Sequence, residues 1–348
     1  MTTGVLRIAD VVVPAVFTPM VERLVIERSP LIQSGAMVTD PALDAFLNGA
    51  GLTVNMPKGN QLDVQDQENV SSDDPTVFSV PNKPTQAAEI AVRLSRNNSW
   101  SDMDLVSALL GYDPMQSIAT MVADYWTKRR ERAVIAHLSG IFAMDAAATD
   151  AYHTQGEMTR DISGSSYAAG VTNFGGGAFI DAQLTMSDAM DELTLMAMHP
   201  VVYANARKAN LISFIQPSEV SGKIPVYQDA QVIVARNLPM PSPGVFETWL
   251  FGRGAVQAGS GRAKVPNETL RVPGAGNGGG QEIMWDRVEW AHHVPGTAFI
   301  GAGTPAGGPS NAATTGNLAA ASSWRRIAPD RRYLRIARIV SREFSAPA

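Results

Sequence analysis

Between Pro114 and Gly140 the sequence holds neither a glycine nor a further proline. No other feature limits the fold of the chain as strongly. Asp113 and Pro114 supply a favoured N-cap and a favoured first helical residue. Met115, Ile118, Val122 and Tyr125, and later Ile135, Leu138 and Phe142, recur at helical spacing. The pattern runs on to about Ala147, which predicts a rod of roughly 40–50 Å at ~1.5 Å per residue. Lys128, Arg129, Arg130, Glu131 and Arg132 interrupt the apolar stripe in mid-helix. They read as a solvated face or, in an assembly, as basic residues turned toward acidic neighbours or enclosed nucleic acid.

The residues ahead of the rod show little sign of a self-contained core. In residues 1–50, short apolar patches alternate with breakers: Val11-Val12-Val13-Pro14, Phe17-Thr18-Pro19, Ser29-Pro30 and Asp40-Pro41. Met20–Glu27 reads as a short helix with Val21, Leu24 and Val25 on one side. Each piece is too short to bury its own apolar side. The arm either wraps its own domain or lies across a neighbouring subunit, with Phe17 and Leu24 as candidate contacts. Residues 51–99 read as a two-stranded excursion. Leu52–Pro57 alternates in apolar character, as does Glu89–Leu94. The tip between them carries Asp63, Asp66, Glu68, Asp73 and Asp74, with Pro75, Pro81 and Pro84. A long isolated hairpin is only marginally stable in water, so this one is expected to lie on a partner. Its carboxylates lack the twelve-residue spacing and central glycine of an EF-hand.

Ser101–Leu105 begins a short helix that Gly111 ends. Residues 150–180 are turn-like, and from Asp181 the pattern becomes α/β. Helices are expected over Leu184–Met196 and Val201–Ile215. Strands are expected at Val232–Ala235, Glu247–Gly252, Arg287–His293 and Arg332–Val340. Val294–Ser323 is poor in charge and rich in small residues, and reads as a surface loop or linker. Seven arginines lie within Arg325–Arg342. They suit either phosphate contact or pairing of Arg331, Arg335 and Arg338 with the acidic hairpin of another subunit, since guanidinium forks onto carboxylate.

No catalytic set emerges. The 348 residues carry a net charge of −5, which gives no basic surface for tight nucleic-acid binding. With no cysteine, the chain forms no disulfide or thiolate metal site and fits a reducing compartment. No stretch approaches the ~20 apolar residues of a membrane span. Gly274–Gly279 matches G-x-G-x-x-G in letters, but Pro273 precedes it and a strand-like start follows, so it reads as a hairpin tip. His292 and His293, adjacent on a strand, point to opposite faces and cannot readily chelate one ion. Neither a catalytic residue, a cofactor site nor a metal site is expected.

The order of parts (arm, hairpin, long helix, α/β lobe, terminal strand) resembles the major capsid proteins of tailed bacteriophages, which share the Hong Kong 97-like fold. Particular strings add to the likeness: Ala9–Pro14, Leu31–Gly35, Val54–Pro57, Asp113–Met115 through Val122–Trp126, and Met198–Tyr203 through Asn210–Ile212. The resemblance implies an α+β fold with residues 1–50 as N-terminal arm and 51–99 as an extended loop over the adjacent subunit. Residues 100–165 with 320–348 would form the peripheral domain around the spine helix, and 166–319 the axial domain. It also implies self-assembly into hexamers and pentamers, scaffolding and portal partners, and non-specific contact with packaged double-stranded DNA. The protein would be a virion component assembled in the host bacterial cytoplasm. Lys58 and Lys83 lie in the extended loop without a motif that fixes a cross-linking partner. The rival expectations are an encapsulin-like cellular nanocompartment shell and a soluble α/β hydrolase or metal enzyme using His292 or His293.

Overall fold

A computed structural model describes residue 31 and residues 34–59, 69–81, 86–110, 114–147, 154–215 and 224–344. Phe17, Leu24, the Met20–Glu27 segment, Asp63, Asp66, Glu68 and Asp113 lie outside the described residues. The chain runs through β1 (Met37–Thr39), α1 (Pro41–Leu47), β2 (Thr53–Gly59), β3 (Gln86–Met103), α2 (Asp104–Leu110) and α3 (Pro114–Ala147). Next come β4 (Thr159–Asp161), α4 (Gly176–Leu184), β5 (Leu195–Met198) and α5 (Pro200–Lys208). Then follow β6 (Ser213–Ile215), β7 (Ile224–Tyr227), β8 (Ala230–Val234), β9 (Val245–Phe251) and β10 (Val256–Gly261). The last strands are β11 (Asn267–Val272), β12 (Gln281–His293), β13 (Thr297–Phe299), β14 (Trp324–Arg326) and β15 (Ile336–Arg342).

These strands make two sheets. The first has the order β1-β10-β12-β3-β13-β14, with β2 also paired to β3 and β11 to β12. The second has the order β4-β15-β9-β5-β8-β7-β6. β3 spans 18 residues and changes partner along its length. Its first part pairs with β2 up to Thr53↔Val92, and its second part pairs with β12 from His292↔Val92 to Gln281↔Met103. It therefore runs unbroken through the boundary expected at residues 99 and 100. The sheets also cut across the expected division at 166–319. β10 to β13 join the first sheet, and β15 joins the second.

The 34-residue helix α3 keeps the span read from its lack of breakers. Residues Ala133–Leu138 and Gly140–Phe142 are buried almost all round, as a helix enclosed by other elements must be. Trp126 meets Trp290 of the first sheet at 5.8 Å, and Phe142 meets Trp249 of the second at 5.6 Å. Val134, Leu138 and Ile141 thus share one core with Leu94 on one side and Phe251 and Ile336 on the other. A second core joins Phe179 and Ala182 of α4 and Val202 of α5 to Met196, Phe246, Leu250 and Ile339 of the second sheet. β9 serves both. Its alternate residues face opposite ways, so Trp249 and Phe251 enter the first core while Phe246 and Leu250 enter the second.

Several local expectations need correction. The segment Val294–Ser323 is not a surface linker: Val294, Ala298, Phe299, Leu318, Ala320 and Ser323 are buried. β13 within it pairs with β3 and β14, and Gly307 accepts a hydrogen bond from the Ser95 N–H at 2.9 Å. Its small residues allow close backbone approach. Gly308, at φ +92°, has no room for a Cβ against the Arg93 carbonyl. The helix expected at Leu184–Met196 lies earlier, over Gly176–Leu184, and a 3₁₀ turn at Ser187–Glu192 leads into β5. Gly175–Gly177 made this start read as a turn. The helix from Val201 stops at Lys208, and Asn210 takes the left-handed φ of 56° before β6. The terminal strand begins at Ile336, because Arg331–Tyr333 forms a 3₁₀ turn capped by Asp330.

All three arginines expected at subunit contacts have partners inside the chain, Arg335 at the surface and the other two deeper. Arg338 donates to Glu247 Oε1 and to Thr159 Oγ1, each at 3.1 Å, and lies 5.0 Å over the Phe142 ring. It joins β15, β9, α3 and the start of β4. Glu247 in turn accepts the Trp249 indole N–H at 2.8 Å. Arg331 donates to the Leu334 and Ile336 carbonyls, and burial pushes its pKa down to about 10.

Gly140 sits where the Leu318 carbonyl and the Trp324 ring press on α3. Gly140→Ala improves helix propensity by about 1 kcal/mol, but its methyl must displace backbone. Overpacking of this kind costs about 1–3 kcal/mol, so the midpoint of urea unfolding is expected to fall. A raised midpoint would contradict the close approach. Arg338→Met strands the Glu247 carboxylate, whose side chain is 7% exposed. A loss of about 3–5 kcal/mol is expected by the same measurement, the usual cost of breaking a buried pair from one side.

Candidate assembly surfaces

The ribbon made by β2 and the first half of β3 leaves the body of the subunit. Every residue from Pro57 to Gly59 is exposed, whereas Glu89 on the facing strand is buried. Glu89 anchors the root. Its carboxylate accepts from Lys58 Nζ at 3.1 Å, lies 2.9 Å from His293 Nε2 and takes the Gly296 N–H at 2.8 Å. Burial raises the Glu89 pKa, but these bonds, that to His293 foremost, outweigh it and hold the carboxyl below its ordinary value.

Residues 69–81 lie between the two strands and are tied together locally. The Asn69 side chain bonds both the carbonyl and the N–H of Val80, and Asp74 accepts from the Thr76 N–H and hydroxyl. The two Thr76 bonds lower the pKa of Asp74. From this small frame Val70, Val77, Phe78 and Val80 project with 59–90% exposure. The acidic residues dominated the sequence pattern of the tip and hid this apolar set. Val77-Phe78-Ser79-Val80 was the available signal.

On the body, Arg335 is half exposed and pairs with Glu192 at 3.0 Å, beside Arg332 bridging Asp188 and Asp330. The basic turn of α3 is not one solvated face. Arg132 is exposed, Lys128 and Arg129 are half-buried, and Glu131 is fully buried. Arg129 bonds the Tyr125 hydroxyl and lies over its ring. Arg130 turns inward to His292 Nε2 and the Gly259 carbonyl, both at 3.4 Å. At the far end of the long sheet, Leu105 and Leu109 of α2 are each 52% exposed, with Leu270 of β11 49% exposed.

Among the described residues no group of three or more His, Asp or Glu side chains is placed to hold one metal ion, and none of the described helices is long and apolar enough to cross a membrane. Gly274–Gly279 forms the turn between β11 and β12, with Gly276 and Asn277 in left-handed conformation and no helix behind it to receive a phosphate.

No known family profile matches the chain. The sequence is 33% identical over 327 residues to the major capsid protein of Bacillus phage SPP1, covering 92% of this chain and 94% of that one. The capsid of cyanophage Pam1 superposes with a TM-score of 0.58 at 11% identity, covering the whole of both chains. The capsid of Ralstonia phage GP4 gives 0.52 at 8% identity, over 90% of this chain and 87% of that one. At such low identity the structures speak for the fold, while the full-length sequence match speaks for the family. The chain belongs to the major capsid proteins of tailed bacteriophages, with the Hong Kong 97-like α+β fold.

Proposed function

We propose that the chain is the repeating structural subunit of a phage head, joining copies of itself into hexamers and pentamers of an icosahedral shell around double-stranded DNA. The observation that carries this reading is the ribbon tip. A two-stranded arm ending in four exposed apolar side chains is costly for an isolated subunit and useful once a neighbour covers it.

In this reading residues 1–50 form an arm, with Phe17 and Leu24 against a neighbour, and residues 51–99 lie over the adjacent subunit. Asp63, Asp66 and Glu68 meet basic groups such as Arg335 there. α3 with the long first sheet forms the peripheral part. The second sheet with α4 and α5 forms the axial part, gathered at the five-fold and six-fold axes. Lys128, Arg129 and Arg132 touch packaged DNA weakly and in a salt-dependent manner, as phosphate contacts do. The subunit works without catalysis, with scaffolding and portal proteins as partners. It is built into virions in the host bacterial cytoplasm.

Negative-stain electron microscopy of the chain, alone and with its scaffolding partner, tests the reading. Closed polyhedral particles or rings of five and six are expected, whereas a chain that stays small with that partner present would overturn it. Particles that co-purify with one protein cargo and no nucleic acid would point instead to a nanocompartment. Phe78→Ser combined with Val70→Ser should leave a folded subunit but reduce closed shells by roughly tenfold or more, since each apolar side chain buried contributes about 1.5–3 kcal/mol. Normal shell yield from that variant would remove the tip from the contact.

A further inference from the structure

Three of the five histidines gather where α3 crosses the end of β12: His137, His292 and His293, each no more than 1% exposed. Neither ring nitrogen of His137 has a hydrogen-bond partner among the described residues, and its ring lies 4.1 Å from that of Trp324. His292 Nε2 accepts from Arg130 Nε at 3.4 Å, which it can do only while that nitrogen carries no proton. His293 instead faces the Glu89 carboxylate. The charged groups around the three come from every neighbouring element. They are Arg130 on α3, Arg96 and Glu89 on β3, and Lys58 on β2, with Asp44 on α1 beside Arg130.

We propose that His137 and His292 make the junction between α3 and the first sheet an acid-opened joint, closed while both imidazoles are neutral and loosened when they take up protons. A proton on His292 removes the acceptor for Arg130 and sets imidazolium against guanidinium. A proton on His137 places a charge against the Trp324 ring with no acceptor among the described residues. His293 lies outside the joint, because its ring already faces the Glu89 carboxylate at 2.9 Å. Burial, then the nearby His292 and His293, hold His137 well below the ordinary histidine range. Burial, then Arg130 and Arg96, hold His292 at about 3. An opened imidazole binds its proton near ~6.5. The open state therefore takes up more protons below about pH 6.5, and closure, full above that value, weakens as pH falls.

Hydrogen–deuterium exchange on the full chain, corrected for intrinsic rates, tests the joint from about pH 7.5 to about pH 5. Backbone exchange over residues 130–142 and 284–293 is expected to rise at least about tenfold, ahead of α4 and α5, which belong to the other core. His137→Phe with His292→Gln keeps the stack and the acceptor but removes both titrating groups, and should abolish the rise across this range. Uniform loosening of both cores, or an unchanged rise in the double variant, would overturn the proposal. If that variant does not fold, exchange at the imidazole C2 positions of the parent chain decides. Protonation of His137 or His292 near ~6.5 with α3 still protected would overturn it, and neutrality until α3 opens would sustain it.

Discussion

A 34-residue helix carries apolar side chains on more sides than one sheet can cover, and in this subunit two sheets and a folded-in loop divide the work. The first sheet supplies Trp290 to Trp126 and Trp324 to His137, the second supplies Trp249 to Phe142, and the loop ahead of β14 adds Leu318, whose carbonyl holds the Trp324 indole. Had the helix been broken by a glycine pair or a proline, neither sheet would have retained its inner face. The seven-stranded sheet also leans on β15, whose Ile336 belongs to the helix core and whose Ile339 belongs to the other. The two cores therefore share their middle strands, which couples their stabilities.

The parts of the fold that were legible in the sequence are those fixed by local rules. The helix from Pro114 to Ala147 followed from the absence of breakers, and β2, β8 and β9 followed from short runs of alternation or continuous apolarity. What was not legible depends on distant partners. Gly175–Gly177 looks like a turn until Phe179 and Ala182 find Phe246 and Leu250 far along the chain. The run of small residues from Val294 looks like a linker until its carbonyls meet Ser95 and Trp324. Small side chains mark flexibility and close packing alike, and only the partner tells them apart.

Charge misled for the same reason. Arg338 reaches Glu247 because the antiparallel register puts Arg338 opposite Trp249, and nothing near either residue announces that pairing. Arg130 stands in a basic run beside Arg129, which lies along Tyr125, and exposed Arg132, yet the helical turn aims it at His292. A guanidinium on a helix or strand is exposed or buried according to the face it occupies, and a run of five consecutive charges covers every face of a helix at ~100° per residue. The apolar ribbon tip is the converse. Four hydrophobic side chains that alone would be assigned to a core stand in solvent.

The change of partner within β3 gives the subunit a mechanical character. Val92 is the residue at which β2 hands over to β12, and the backbone passes through it without a bend residue, a glycine or a bulge. A pull on the outer ribbon therefore travels along one covalent strand, in the stiff direction, to the ladder beneath α3. The ribbon ladder of seven pairs and the inner ladder of twelve pairs share this one strand. Whatever shifts the ribbon is felt at Trp290 and the helix it supports, so a load on the outside of the subunit is registered in its core without a ligand.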